Sequence, residues 1–163
     1  MRRFSHLAAS LCLILGLAAV GCDDDDDNND DGRTTFGVAS MTGANEVPPN
    51  ASTAQGSASF DLAGGTVTYS IQLQNITEVT AAHIHLGSAG ANGPVVVSLF
   101  TGPTTGPVSG LLVQSTFSAA DVATGTSFES LIEQMRNRGA YVNVHSNAFP
   151  DGEIRGQIEV VEQ

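Results

Sequence analysis

Gln55-Gly56-Ser57-Ala58-Ser59-Phe60-Asp61-Leu62, Ala63-Gly64-Gly65, Thr66-Val67-Thr68-Tyr69-Ser70-Ile71-Gln72-Leu73-Gln74: this stretch decides the fold. Both arms alternate. Ala58, Phe60 and Leu62 point one way and Ser57, Ser59 and Asp61 the other; beyond the glycines, Val67, Tyr69, Ile71 and Leu73 repeat the pattern. A period of two marks a strand with one buried face. Two such runs joined by a tight glycine turn predict a β-hairpin.

Outward from the hairpin the same texture continues. Residues 34–41 read as a strand with Phe36 and Val38 on one face, and residues 42–52 as a loop, because Gly43 and Pro48-Pro49 deny it regular structure. Residues 80–86, 95–100 and 111–117 read as further strands, parted by Gly/Pro-rich stretches at 87–94, expected to be mobile, and at 102–110. One helix interrupts them. Thr126 and Glu129 suit a capping box. Phe128, Leu131, Ile132 and Met135 form one apolar stripe at i, i+3, i+4 and i+7, read as core packing. Arg136, Arg138 and Gly139 suit its carboxyl end. Residues 140–145 and 153–161 close the chain as strands around a turn at 146–152 containing Pro150-Asp151-Gly152. Seven or eight short strands with one short helix predict an all-β, Greek-key sandwich or barrel, and residues 34–163 suffice for one such core.

The chain begins differently. Residues 1–21 resemble a secretory signal: Arg2 and Arg3, then an apolar run of 14 residues at 7–20, too short to span a bilayer comfortably. Ala18-Ala19-Val20-Gly21-Cys22 resembles a bacterial lipobox, so Cys22 is expected to carry acyl chains and to hold the protein to a membrane. Residues 22–33 are an acidic stretch that cannot bury apolar area, expected to be a disordered tether. Acidic residues directly after the lipidated cysteine resemble surface-export signals, while Asp23 resembles an inner-membrane retention signal. The expected address is a bacterial cell envelope, at the outer membrane or surface rather than the inner membrane. Cys12 leaves with the signal and Cys22 is lipidated, so no disulfide supports the domain.

Charge excludes one class of partner. The net charge is −11, with no Lys; from Arg33 onward ten acids face four arginines. Nucleic acid demands a basic surface and is not expected. Nucleophilic and phosphate-transfer motifs are missing: there is no Gly-X-Ser-X-Gly and no Gly-rich loop ending in Lys-Ser/Thr.

Several stretches resemble the CHRD domain, the repeated module of chordin that also occurs singly in bacterial proteins. They are Met41-Thr42-Gly43-Ala44-Asn45-Glu46-Val47-Pro48-Pro49, Gly56-Ser57-Ala58, Ala81-Ala82-His83-Ile84-His85-Leu86-Gly87, and Tyr141-Val142-Asn143-Val144-His145 followed by Pro150-Asp151-Gly152-Glu153-Ile154-Arg155-Gly156-Gln157-Ile158. The order fits as well as the residues, and the resemblance spans residues 34–160. It implies an immunoglobulin-like or superoxide-dismutase-like sandwich, and little about activity.

The residues that could carry chemistry are histidines. His83 and His85 alternate with Ile84, so they share one face of their strand, with Cα atoms ~6.6 Å apart. Tyr141, Asn143 and His145 share a face of a later strand; if the two strands pair, His145 completes a three-histidine site suited to Zn²⁺ or Cu²⁺ with one position open. The competing reading is a polar network in which the rings satisfy each other, Asn143 or a backbone carbonyl, with Glu46, Asp151, Glu153 and Arg155 as further partners, Arg155 gripping a carboxylate bidentately and bracing the last hairpin against the Glu46 loop. The expectation is a lipid-anchored, non-enzymatic binding or scaffold module, with protein-contacting loops at 87–94 and 102–110, no catalytic residues and no certain cofactor. The alternative is a mononuclear copper or zinc protein using His83, His85 and His145.

Overall fold

A computed structural model describes residues 33–161. The signal, Cys22 and the tether up to residue 32 lie outside the described residues. Nine strands are present: β1 (Thr34–Thr42), β2 (Gln55–Ala63), β3 (Thr66–Thr77), β4 (Val79–Leu86), β5 (Val95–Thr101), β6 (Pro107–Ser118), β7 (Ala140–Ser146), β8 (Ile154–Gln157) and β9 (Glu159–Val160), with one α-helix, α1 (Phe128–Arg136). The fold is all-β with one short helix, as expected; the strand number exceeds seven or eight because residues 153–161 break into β8 and β9 around buried Ile158.

The 55–74 hairpin pairs in unbroken register from Gln55↔Gln74 to Ala63↔Thr66. Only Gly64 and Gly65 turn, at φ of 56° and 79°, the left-handed pair that a two-residue hairpin turn requires. Val67, Tyr69, Ile71 and Leu73 are all buried. In β1 the register slips between Val38 and Met41, which turns Met41 inward beside Phe36 and Val38. β6 begins at Pro107, so the expected 102–110 loop is shorter: its second half pairs with β3 as far as Thr77↔Pro107.

The antiparallel ladder runs β5-β4-β7-β8-β1-β2-β3-β6, with β9 also on β1. β5 and β6 follow one another in sequence yet end the path at opposite edges, so the sheet is open. It folds over itself: Tyr69 on β3 donates its hydroxyl to the carbonyl of Leu99 on β5 at 2.7 Å, although the two strands stand near opposite ends of the path. The apolar interior lies between the layers so formed.

Helix α1 buries Phe128, Leu131, Ile132 and Met135, the stripe read from the sequence. Its cap is Ser127 rather than Thr126, because the Ser127 hydroxyl oxygen accepts from Ser130 N at 3.1 Å. After the helix, Arg138 takes the left-handed conformation (φ 56°) expected of Gly139.

β4, β7 and β8 lie side by side and position the site. Their inner face carries Ala82, Ile84, Val142, Val144 and Ile154, all fully buried. The register sets His83 opposite Asn143, His85 opposite Tyr141 and Ala81 opposite His145; Asn143 in turn faces Arg155 and Tyr141 faces Gln157. All of these side chains emerge on the outer face.

Candidate metal centre

The outer face of β4–β7–β8 is a second interior, and polar. Tyr141, Asn143 and Arg155 are buried there, as is Glu46 from the loop after β1. Two loops close it. The 43–54 loop is pinned by Asn45, whose amide donates to the Arg155 carbonyl at 3.1 Å, and by Asn50, whose amide donates to the carbonyls of Gly152 and Glu153. The 87–94 loop is held rather than left mobile. Arg155 donates to Asn92 Oδ1 and to the Ala91 carbonyl, both at 2.8 Å, and Asn92 donates onward to the Val47 carbonyl.

The three histidines converge at one end of this face. One donor atom from each of His83, His85 and His145 lies within 4.8 Å of the other two. His83 Nδ1 and His145 Nε2 stand 3.3 Å apart, close to the ~3.4 Å between two nitrogens sharing one ion at ~2.0–2.1 Å. Backbone carbonyls fix two of the tautomers. A carbonyl only accepts, so His85 Nδ1–H donates to Gly93 O at 2.9 Å and His145 Nδ1–H donates to Pro150 O at 3.0 Å. Both Nε2 atoms keep a lone pair: that of His145 faces His83 Nδ1, and that of His85 is buried without a partner. Carbonyls that orient a ring through its far nitrogen are the usual support of a metal ligand.

Burial and neighbouring charge keep His83 and His85 neutral. Burial, then the neighbouring His145 and His85, push the His83 pKa down to about 4. His85 is lowered too, by burial first, with Arg155 among the opposing charges. Neutral imidazole is the form that binds metal. His85 stacks on Tyr141 (4.9 Å, 13°), and the Arg155 guanidinium covers Tyr141 at 3.9 Å.

The other sequence-singled residues distribute unevenly. Glu46 meets Asn143, whose amide donates to Glu46 Oε2 at 3.4 Å. Burial raises its pKa to about 7 despite the nearby Arg155 charge. Glu153 accepts from Ser52 at 2.7 Å and from Ser146, so Glu153, not Arg155, ties the last hairpin to the loop after β1 through a carboxylate. The bidentate Arg155–carboxylate grip does not form; the fork closes on the neutral oxygens of the 87–94 loop instead. Asp151 is exposed on the turn, apart from the network. Sequence reading missed Tyr141 as the stacking partner, although its place on the odd face of β7 pointed there. The backbone-carbonyl partners expected of the rings are present, at Gly93 and Pro150; no sequence signal says which carbonyls they are.

Fold and site together define an all-β module with a covered polar face ending in three convergent histidines. The chain belongs to the CHRD domain family, whose model matches residues 38–158. That match identifies a non-enzymatic module and brings no specific role with it. No curated protein and no solved structure matches the chain.

Proposed function

We propose that this protein is a lipid-anchored module of a bacterial cell envelope that binds one copper or zinc ion through His83, His85 and His145. One observation carries the metal reading: three imidazole donors within 4.8 Å of one another, two of the rings held by backbone carbonyls through Nδ1 so that Nε2 keeps its lone pair. The donor set fits the group. Imidazole suits copper and zinc, and the buried His85 Nε2 lacks any other partner. His83 supplies the third nitrogen when the proton it shares with His145 leaves Nδ1 and Nε2 is protonated instead, with no change in net charge. The lipobox-like Cys22 and the acidic stretch after it support the anchor and tether. Binding of a macromolecule at the covered loops is the second reading. It is favoured by a cavity of about 480 Å³ between the 43–49 loop and Ala89-Gly90, floored by Arg155 and lined by none of the histidines.

Titration of the full-length chain, purified in detergent, with Cu and Zn ions tests the metal reading. One ion bound per chain, with a raised Tm, both lost in His83→Ala/His85→Ala, is the expected result. Binding that survives the double substitution overturns it.

A further inference from the structure

We propose that the three-histidine centre is built for cuprous copper, and that Arg155, acting through Tyr141, is the positioning residue that sets its preference against divalent ions. This rests on the metal reading above and deepens it.

The first argument is the donor set. Among the described residues the cluster that could hold an ion contains three histidines and no acid or cysteine. A cuprous ion is satisfied by three nitrogens around it, whereas zinc at three histidines must draw a fourth ligand from water, because no carboxylate lies in the cluster to supply one. Glu46 is engaged with Asn143 and Glu153 with Ser52 and Ser146.

The second argument is charge. Arg155 is 2% exposed and its guanidinium lies on Tyr141, which lies on His85. A permanent cation therefore stands two stacked rings from the ion's position. Its hydrogen bonds go to two neutral oxygens, Asn92 Oδ1 and Ala91 O, and the carboxyl that feels its charge, Glu46, is pushed by burial toward its neutral form. Arg155 is the permanent charge that acts on His85, and no acid lies within the histidine cluster. Repulsion from a fixed cation doubles when the bound ion carries two charges rather than one. Burial acts in the same direction, since stripping water from a dication is the harder step.

The experiment compares ions on the full-length chain in detergent. Cu(I) is titrated without oxygen, with ascorbate present, against a chromophoric Cu(I) chelator, and Zn(II) against a zinc chelator. The parent, Arg155→Met and Arg155→Lys are measured side by side. The parent is expected to bind one Cu(I) at least about 100-fold more tightly than Zn(II), and Arg155→Met to narrow that ratio about tenfold. For the Cu(II)/Cu(I) couple a tenfold change corresponds to about 59 mV, downward in Arg155→Met. Arg155→Lys keeps the charge and is expected to stay near the parent. A parent that prefers Zn(II) overturns the inference and leaves the metal site standing. An unchanged ratio in folded Arg155→Met overturns the role of Arg155. A parent that binds none of these ions removes the underlying reading as well. If Arg155→Met does not fold, the parent's own ion preference still decides the cuprous assignment, and an Arg155→Lys ratio far from the parent's still overturns the charge argument.

Discussion

Strands β4 and β7 serve two interiors of opposite chemistry. On one side Ala82, Ile84, Val142 and Val144 are fully buried among other apolar groups. On the other, His83, His85, Tyr141, Asn143 and His145 lie beneath loops from distant parts of the chain. The apolar side is stabilised by area removed from water, roughly 25 cal/mol per Å², and tolerates any neighbour of the right shape. The polar side gains little from area. Each buried donor or acceptor there needs a named partner, and the atoms left without one, Glu46 Oε1, His85 Nε2 and Asn143 Oδ1, are where a ligand, a proton or a water has something to do. Two faces of one strand pair thus divide the labour, one holding the fold and the other carrying the candidate site.

The largest expected effect breaks the first side. Ile84→Ala should destabilise the domain by about 3–4 kcal/mol, as deletion of a fully buried branched side chain does. Thermal melting reads the loss, and metal bound per folded chain should not change. A small loss would mean that the apolar face is not the one holding the fold.

The reverse dissociation comes from the other side. His145→Ala should weaken Cu or Zn binding about 100-fold or more while the metal-free chain loses only about 1–2 kcal/mol, that of its hydrogen bonds to Pro150 O and His83 Nδ1. Parallel titration and melting curves separate the two quantities. A large loss of metal-free stability would merge the two faces into one structural unit.

Next in size is a pH effect that sharpens the comparison. Glu46 rises from 4.5 to about 7 on folding, so its contribution is complete below pH 4.5 and is lost as pH climbs through 7. His83 falls from 6.5 to about 4, so its contribution is complete above pH 6.5 and is lost as pH drops through 4. The two oppose each other between pH 4.5 and 6.5. His85 is lowered as well and adds to the His83 side, so parent stability should fall only gently as pH drops there. Glu46→Gln should expose the His83 slope, on the order of 2 kcal/mol between pH 6.5 and 4, read as a falling Tm. A variant no steeper than the parent would show that the polar face does not titrate as one cluster.

The smallest effect marks the edge of the polar face. Asp151 is exposed, so Asp151→Asn should alter stability by less than about 0.5 kcal/mol and leave metal affinity unchanged. A tenfold change in affinity would place the turn inside the site.

Much of this was legible in the residues because it is local. Period-two alternation named β2 and β3 and the inward faces of both, since successive side chains of a strand must point to opposite sides. The same rule put His83 and His85 together, and Tyr141 with Asn143 and His145. The stripe of α1 was legible for the equivalent reason at period 3.6. What the tertiary structure decided was which faces are covered. An alternating strand declares one buried side; nothing in residues 79–86 or 140–146 says that the other side is roofed by loops that begin up to a hundred positions away. The partner of Arg155 was misread for a related reason. Opposite charge is the only complement a sequence displays, whereas the guanidinium found a carbonyl, an amide oxygen and a ring. Carbonyls orient His85 and His145 as well, and every residue carries one. Which carbonyl stands within reach of a ring is set by the chain's path alone, so the donor set was written in the sequence and its orientation only in the fold.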